Sequence, residues 1–326
     1  MSVLIYTESA SGKVKKASIE AVFYGSKIAA QLNTEVVVLN IGDANNNELA
    51  TLGNVGANKV LKFTGNITTL DSKAYSKVVG AAADAAQASV IIFTADLVAK
   101  AVAPRLSARY SAGMVTGATT YPVINGNSFT LRKPVFSGKA FVDYELTSDK
   151  KIIVISPNSF PVEQSANVAT VSDLTYTLAP SDITITVKEV KKDNTDHIPL
   201  PEAELVVSGG RGLKAPENWG IVEDLAKVLG AATACSRPVA DIGWRPHHEH
   251  VGQTGLAVRP NLYIAAGISG AIQHLAGVNQ SKTIVVINTD KEAPFFKAAD
   301  YGIVGDVFEV LPKLTAAVAK FKANAN

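Results

Sequence analysis

The residues best suited to chemistry lie in the second half of the sequence, where apolar segments give way to glycine and polar side chains. In open sheets of parallel strands, ligands bind beyond the carboxyl ends of the strands. The most informative segment is Leu262–His274, in which an apolar strand ends at Gly267 and Ser269-Gly270 opens a predicted helix. Free N–H groups and the positive end of the helix dipole favour a phosphate there.

The first turn of that helix places two further polar side chains, Gln273 and His274, beside the same predicted site. An imidazole at this position either donates a hydrogen bond to a carbonyl or carries positive charge near an anion. A purely structural interpretation, with Ser269 as the helix cap and His274 as a capping histidine, remains open at this point.

A glycine-rich turn, Ser208–Gly212, follows an earlier apolar strand. Its glycines could turn backbone N–H groups toward an anion, and Arg211 adds a positive charge. The alternative is a flexible turn with a solvated arginine.

The next strand ends at Cys235-Ser236-Arg237-Pro238, where the proline stiffens the loop that carries Arg237. A guanidinium held in one orientation can stack on a planar ligand. An ordinary surface arginine is the alternative.

The loop Val251–Gly255 holds two glycines, which permit close backbone approach, together with Gln253 and Thr254, which both donate and accept hydrogen bonds. An ordinary turn is the competing interpretation.

Two strand-end positions complete the candidates. Asn288 follows one predicted strand, and Asp306 opens the last predicted helix. The aspartate is either a helix N-cap or the carboxylate that holds ribose hydroxyls in nucleotide-binding folds.

The cluster His247-His248-Glu249-His250 invites comparison with a metal site. Its spacing lacks the i, i+4 histidine pair of helical zinc sites, and Pro246 favours a loop. We therefore expect a solvated loop and no metal.

The elements that position these residues are read from β-branched runs that alternate with longer Ala-rich stretches, a pattern typical of βα units around a parallel sheet. The first half predicts strands at Ser2–Thr7, Glu35–Ile41, Lys59–Phe63 and Ser89–Thr94. Helices are predicted between them at Lys13–Gln31, Asp71–Ala86 and Leu97–Arg109. Four later runs predict antiparallel hairpins appended to this sheet: Tyr121–Asn125, Ser128–Leu131, Lys139–Tyr144 and Lys151–Ser156.

The segment Lys188–Pro201 has the charge and proline content of a linker, which places the domain boundary near residues 195–203. A second α/β series follows, with strands predicted at Glu204–Val207, Ala231–Cys235, Asn261–Ala265, Lys282–Ile287 and Gly302–Val304. Its predicted helices are Glu217–Leu229, Ala271–Ala276 and Val307–Ala323. We therefore expect an N-terminal parallel-sheet α/β domain (1–195) with appended β-hairpins and a C-terminal doubly wound, Rossmann-like domain (203–326).

Composition limits the function classes. The chain has 326 residues, with 31 Lys and Arg against 29 Asp and Glu, so bulk charge does not favour nucleic acid or anionic membranes. One cysteine, Cys235, leaves no intramolecular disulfide and no thiolate cage for zinc or an iron–sulfur cluster. Met1 leads directly into an apolar strand without a secretion or transit signal, and no long apolar span is present. These features predict a cytoplasmic location and no membrane insertion.

Taken in order, these motifs resemble the electron transfer flavoprotein family, alpha subunit. The similarity is carried by five stretches: Val206–Leu213, Val251–Gly255, Leu262–His274, Ala293–Phe295 and Asp300–Val304. The resemblance implies a heterodimer in which this chain binds one FAD in its C-terminal domain. The beta-subunit partner would hold AMP or, in electron-bifurcating complexes, a second FAD.

The resemblance also implies an electron carrier, not an enzyme, that accepts electrons from flavin dehydrogenases such as acyl-CoA dehydrogenases of fatty acid β-oxidation. It would pass them to a membrane quinone oxidoreductase. Transferred position by position, Arg237 would lie over the isoalloxazine, Thr254 would bond its N5, and His274 would lie near its C2 carbonyl. The implied FAD-binding residues are Arg211, Ser236, Arg237, Val251, Gly252, Gln253, Thr254, Ser269, Gly270, Ala271, Ile272, Gln273, His274, Asn288, Asp306 and Val307.

The residues alone leave other functions open. One is an NAD- or FAD-dependent oxidoreductase whose small-molecule substrate binds in the first domain, and another is a scaffold that works without a beta subunit. No nucleophile and base with local spacing are present in the sequence. That observation favours a carrier over a hydrolase or transferase.

Overall fold

The computed structural model describes residues 1–65, 67, 69–136, 138–189 and 198–325. The chain divides into two compact units, of which the first comprises residues 1–135 and 140–193 and the second residues 136–139 and 194–326. Most of the predicted linker, residues 190–197, lies outside the described residues, and so does the start of the predicted boundary at 195–203.

The first unit alternates strands and helices along most of its length. Its helices are α1 (Lys16–Leu32), α2 (Asn46–Ala50), α3 (Ser72–Ala85) and α4 (Leu97–Tyr110). Its strands are β1 (Ser2–Ala10), β2 (Lys13–Val14), β3 (Glu35–Gly42), β4 (Lys59–Phe63), β5 (Ala88–Thr94), β6 (Gly113–Ala118), β7 (Val123–Asn125), β8 (Ser128–Val135), β9 (Ala140–Leu146), β10 (Lys151–Ile155) and β11 (Thr170–Asp173).

A parallel sheet with the order β11-β4-β3-β1-β5-β10-β6 forms the centre of this unit, and β2 pairs antiparallel with β1. Because successive strand residues point to opposite faces, β1 supplies both cores. Ile5 packs with Tyr24 and Ile28 of α1 on one face. Leu4 lies in the core of the other face with residues of α3 and α4. Strands β7, β8 and β9 form a separate antiparallel sheet, which confirms the appended hairpins.

Two sequence predictions for this unit are wrong. Lys151–Ser156 was predicted as part of a hairpin, but β10 lies inside the parallel sheet between β5 and β6. All five of its residues are buried, as is usual for a strand covered on both faces. The helix predicted from Lys13 begins instead at Lys16, because Ser11 and Gly12, both with positive φ, form a tight turn from β1 into β2. Strands β6 and β11 were not predicted.

The second unit repeats the α/β pattern. Its strands are β12 (Leu205–Gly209), β13 (Ala232–Cys235), β14 (Leu262–Ala266), β15 (Thr283–Asn288) and β16 (Tyr301–Val304). Its helices are α5 (Gly220–Leu229), α6 (Arg237–Asp241), α7 (Ile272–Val278) and α8 (Val307–Ala325). Short 3₁₀ helices lie at Leu200–Glu202, Arg211–Leu213, Pro216–Trp219, His247–Glu249 and Pro294–Lys297.

All five strands of this unit run parallel in the order β13-β12-β14-β15-β16. Helices α5 and α8 cover one face through Leu225 and Leu311, and the other face packs against Val278 of α7 and Phe295. Helices on both faces of a parallel sheet confirm the doubly wound fold. Across the described ranges, we find no helix with the length and apolar character needed to cross a membrane.

Candidate functional site

A cleft of about 560 Å³ lies in the second unit, where the segments that follow β12, β13 and β14 meet the last residue of β15. This is the edge at which parallel α/β sheets bind ligands. The volume falls within the range of about 300–1,000 Å³ that is usual for cofactor and ligand sites. Its lining residues are Arg211, Gly212, Ser236, Arg237, Pro238, His250, Val251, Gly252, Gln253, Thr254, Gly267, Ile268, Ser269, Ala271, Gln273, His274 and Asn288.

Most of the predicted site residues meet at this cleft. Twelve of the sixteen line it: Arg211, Ser236, Arg237, Val251, Gly252, Gln253, Thr254, Ser269, Ala271, Gln273, His274 and Asn288. They come from separate stretches of the chain that only the fold brings together.

The other four predicted residues are not among the lining residues. Gly270 has φ +85°, and a Cβ there would come within 2.6 Å of Phe295. Val307, the first residue of α8, is buried in the core, whereas Ile272 is exposed at the start of α7. The Asp306 carboxylate accepts a hydrogen bond from the Phe308 N–H (3.0 Å) and lies 3.7 Å from Lys214 Nζ. Their role in cofactor binding remains a prediction.

In the glycine-rich turn after β12, two of the backbone N–H groups that could have turned toward an anion are engaged with another loop. The Gly210 N–H donates to the Ala266 carbonyl (2.9 Å), and the Gly212 N–H donates to the Gly267 carbonyl (3.0 Å). A Cβ on Gly210 would lie 2.2 Å from the Gly267 oxygen. These glycines therefore let the loops after β12 and β14 touch backbone to backbone, which leaves the Arg211 side chain at the cleft.

The loop after residue 250 is tied to its neighbours through the backbone. The Val251 N–H donates to the Cys235 carbonyl (3.1 Å), and the Gln253 N–H donates to the Gln273 carbonyl (2.7 Å). Gly252 has φ +151°, and a Cβ there would come within 3.1 Å of the Gln273 oxygen. These bonds fix the loop against β13 and α7 and leave the Gln253 and Thr254 side chains exposed at the cleft.

His274 is buried beneath the cleft. Its Nε2 lies 2.9 Å from the Tyr263 hydroxyl. Burial is the main cause that lowers the pKa of His274 to about 4, and the nearby His250 lowers it further. The imidazole is therefore neutral at pH 7, which favours the predicted donor to a carbonyl over the predicted positive charge.

The surroundings of the other ring nitrogen of His274, Nδ1, show whether the cleft suits a polar cofactor. Within the described ranges no group makes a hydrogen bond of normal geometry to Nδ1, which is buried. The Val251 backbone raises the pKa of His274, but by less than burial and His250 lower it. A buried polar atom without a partner costs free energy, so a lining residue with such an atom fits a ligand that supplies the partner.

Asn288 lines the cleft, but its amide is already engaged. Its Nδ2 donates to the Ile268 carbonyl (3.0 Å), and its Oδ1 accepts from the Asp290 N–H (3.0 Å). The side chain thus holds the loop after β14 in place, and the cleft depends on it for shape.

Two arginines give the cleft positive charge. Arg237 Nε lies 3.2 Å from Asp241 Oδ2. The Arg237 side chain is 61% exposed and the Asp241 side chain 50%. Arg211 has no carboxylate within 4.0 Å in the part of the chain described here. Its guanidinium is the charge most available to an anionic ligand.

The histidine cluster is only partly the solvated loop that the sequence predicted. His247 and His248 are exposed, but Glu249 and His250 are buried, and His250 lines the cleft. His250 and the lining residues Gly212, Pro238, Gly267 and Ile268 were not among the predicted site residues. The available signal for His250 was its position directly before the Val251–Gly255 motif. The described residues hold no group of three or more His, Cys, Asp or Glu side chains suited to a metal ion.

Comparison with known proteins gives two family matches. Residues 3–179 match the electron transfer flavoprotein domain, and residues 199–279 match the electron transfer flavoprotein FAD-binding domain.

Among relatives, electron transfer flavoprotein subunit alpha of Bacillus subtilis is 37% identical over 314 residues, which cover 96% of each chain. The subunit alpha of Thermoanaerobacterium thermosaccharolyticum is 33% identical over 327 residues, 98% of each chain. Protein FixB of Clostridium saccharobutylicum is 33% identical over 318 residues, 96% of this chain and 95% of the relative.

Proposed function

Because the chain belongs to the electron transfer flavoprotein family as an alpha subunit, an electron carrier whose C-terminal domain binds FAD, we propose that the cleft of the second unit is the FAD site. The observation that carries the proposal is the convergence of twelve predicted residues on one cleft. They come from segments after three different strands and from the end of a fourth, so chance adjacency along the sequence does not explain their meeting.

Different residues of the cleft would bind different parts of this cofactor. When bound, FAD supplies a ring that accepts and releases electrons. Arg211 would provide a positive charge for the pyrophosphate, while Arg237 would offer a guanidinium that can stack on the ring system. Gln253 and Thr254 offer exposed donors and acceptors, and neutral His274 offers Nδ1 to a carbonyl of the ring. Asp306 would hold the ribose.

We extend the proposal to partners. The predicted N-terminal domain, residues 1–195, would contact a beta subunit. The predicted C-terminal domain, residues 203–326, would bind FAD. Exposed apolar side chains on the antiparallel sheet support a partner surface: Val123 is 62% exposed and Phe141 67%. Surfaces of this kind mark interaction sites when they are contiguous.

The complete complex would accept electrons from flavin dehydrogenases such as acyl-CoA dehydrogenases and deliver them to a membrane quinone oxidoreductase, in the cytoplasm. The beta subunit would carry AMP or a second FAD. A second FAD would be the sign of a bifurcating complex.

The first experiment is the absorption spectrum of the chain purified with a co-expressed beta subunit. We expect flavin bands, and release by acid precipitation of one FAD per alpha chain beyond any nucleotide of the partner. Recovery of FMN, a yellow pellet from covalently held flavin, or turnover of NAD with a small substrate would contradict the proposal.

A pair of variants localises the cofactor. Arg211→Ala should weaken FAD binding by about tenfold, which corresponds to about 1.4 kcal/mol, since it removes the cation without an internal partner. Lys320→Ala removes an exposed charge of α8 outside the cleft and should leave affinity unchanged. Equal affinities in the two variants would move the site away from the loop after β12.

A further inference from the structure

His250 is buried, although the sequence predicts a solvated loop at this position and does not include His250 among the site residues. The side chain is only 7% exposed, although it follows two exposed histidines and a proline-containing loop. It also lines the cleft, next to the loop that carries Gln253 and Thr254.

The imidazole occupies the space that two glycines of that loop leave open. A Cβ on Gly255 would lie 2.8 Å from His250 Nδ1, and a Cβ on Gly252 would lie 3.4 Å from its Nε2. The His250 carbonyl accepts from the Leu256 N–H (2.9 Å), and the Gly252 N–H donates to the Leu256 carbonyl (3.1 Å). The loop therefore closes around the ring, and the ring sets the distance between the two arms of the loop.

A buried ion pair fixes the residue before it. Arg245 donates from Nε to Glu249 Oε2 (2.8 Å) and from Nη2 to Glu249 Oε1 (2.6 Å), a bidentate arrangement. The Glu249 side chain is only 7% exposed.

The same guanidinium reaches the rest of the unit. Its Nη1 donates to Glu223 Oε1 of α5 (2.9 Å), and its Cζ lies 5.3 Å from the centroid of the buried Trp219 ring. The turn that ends at His250 is thus attached to the core of α5, whereas His247 and His248 at its outer side are solvated.

The electrostatic surroundings suit a neutral ring. Among the described residues, Arg237 of α6 and His247 of its own turn lower the pKa of His250, Asp241 of α6 raises it, and the His274 ring of α7 also lies near. Burial is the main cause that lowers the pKa of His250, which favours the neutral form of the ring against the glycine backbone.

We propose that His250 is a positioning residue of the cleft: its buried imidazole sets the shape of the Val251–Gly255 loop that presents Gln253 and Thr254, and the Arg245–Glu249 pair holds the imidazole there. The inference rests on the proposed FAD site and deepens it. His250 acts on the cofactor through the loop, so its loss should alter how the flavin is held as well as how tightly.

The test uses the complex with its co-expressed beta subunit and three variants: His250→Ala, His250→Gln and, as the matched control, His248→Ala. FAD affinity is measured by flavin fluorescence, and the environment of the bound ring by visible circular dichroism. His250→Ala should weaken FAD binding by about tenfold and change the dichroism bands. His248→Ala should match the wild type in both.

The conservative variant separates positioning from bulk stability. His250→Gln keeps a polar side chain of similar length, so it should recover affinity to within about threefold of the wild type and restore most of the dichroism. Thermal unfolding of the apo-complex shows how much each variant destabilises the fold. A lower unfolding temperature for His250→Ala with unchanged dichroism and affinity at 20 °C would reduce His250 to an ordinary core residue and overturn the inference.

The outcomes distinguish this inference from the proposal beneath it. A wild-type complex without FAD overturns both. A wild-type complex that holds FAD, with a His250→Ala variant that holds it equally well and with the same spectrum, overturns only the role of His250. Glu249→Gln offers an independent check, because it removes the charge of the buried pair but no cleft residue. It should shift the dichroism in the same direction as His250→Ala.

Discussion

The two units are built on the same kind of sheet, yet the carboxyl ends of their strands are used differently. In the first unit, polar side chains there bind one another: Lys15 Nζ lies 2.6 Å from Glu8 Oε2, and the Tyr6 hydroxyl donates to Glu8 Oε1 (2.9 Å). The Asn40 amide likewise donates to Thr7 Oγ1 (3.2 Å). These groups stabilise the end of the sheet and have little left to offer a ligand.

In the second unit the corresponding edge is open. Arg211, Gln253, Thr254 and Ser269 are exposed around the cleft, and glycines draw the loop backbones together beneath them. The difference teaches that a doubly wound sheet provides a place for a ligand, while the loops decide whether polar groups there satisfy each other or remain available. Variants in the two units should accordingly separate effects on stability from effects on the cofactor.

The largest expected effect tests the contact between glycine loops in the second unit. Gly210→Ala would place a Cβ 2.2 Å from the Gly267 carbonyl oxygen, a backbone atom, and 2.7 Å from Ile268 Cγ1. We expect a loss of about 3 kcal/mol in the free energy of unfolding, the upper range for overpacking, together with loss of FAD. Urea unfolding and flavin content measure the two effects. Gly220→Ala, where nothing lies within 4 Å of the new Cβ, serves as the control and should retain both properties.

A buried carboxylate of the first unit should affect stability alone. Glu20 is 5% exposed and accepts hydrogen bonds from the N–H groups of Ser159 (2.7 Å) and Phe160 (2.8 Å) through Oε1, and of Asn158 (2.8 Å) through Oε2. Glu20→Gln removes the charge and should cost about 2–3 kcal/mol of unfolding free energy, with FAD affinity unchanged in the folded complex. The exposed Glu163→Gln is the control.

A loss of FAD affinity in folded Glu20→Gln as large as that in Arg211→Ala would break the separation between the two units.

Asp71 of the first unit provides a further test of the difference between the two units, because its carboxyl makes stability depend on pH. Burial would raise its pKa, but hydrogen bonds from Thr184 and from the Lys73 and Ala74 N–H groups outweigh burial and lower the pKa to about 2. A carboxyl whose pKa is depressed in the folded state stabilises it above the unfolded value of about 3.9, and this contribution disappears as pH falls toward 2.

We expect wild type to lose about 1–2 kcal/mol of unfolding free energy from this group between pH 5 and pH 2. Asp71→Asn should lack that part of the pH dependence, whereas Asp173→Asn, on an exposed side chain, should keep it. Urea titrations across this range provide the measurement. Parallel curves for wild type and Asp71→Asn would show that the carboxylate has no special role.

Sequence reasoning was most successful where pattern and local chemistry agree. The bounds of β4 were predicted as Lys59–Phe63, and the Asp71 cap marks the start of α3 within a residue. It failed for β10, because an apolar run does not reveal whether its partners are parallel or antiparallel. The order of strands in a sheet is a long-range property that a single sequence does not contain.

The site shows the same limit. Glycines and polar residues after the apolar strands, among them Arg211, Arg237 and Gln273, located much of the cleft from the sequence, and family resemblance supplied the remaining predicted residues. The burial of His250 was missed, because it depends on the Arg245–Glu249 pair and on the space above Gly255, and neither is visible before the chain is folded. The backbone hydrogen bonds of the Gly210 turn were not predicted for a related reason, since their carbonyl acceptors lie more than 50 residues later in the chain.

The smallest expected effect concerns the tuning of the flavin by Arg237, the one cleft arginine with an internal partner. Its positive charge near the ring would favour addition of an electron, so Arg237→Ala should lower the first reduction potential. The exposure of the side chain and the Asp241 carboxylate 3.2 Å away both weaken its field. A residual effect of about 0.5–1.4 kcal/mol corresponds to a drop of about 20–60 mV, since 59 mV is about 1.4 kcal/mol for one electron.

Asp241→Asn should act in the opposite direction, because it leaves Arg237 unopposed and removes a negative charge. In Arg237→Ala/Asp241→Asn the two shifts should largely cancel, and Lys320→Ala should move neither potential. Spectroelectrochemical titration of the complex measures both steps. If Arg237→Ala leaves the first potential unchanged while Asp241→Asn raises it, the Arg237 guanidinium does not act on the flavin, and the proposed role of Arg237 in tuning the potential is wrong.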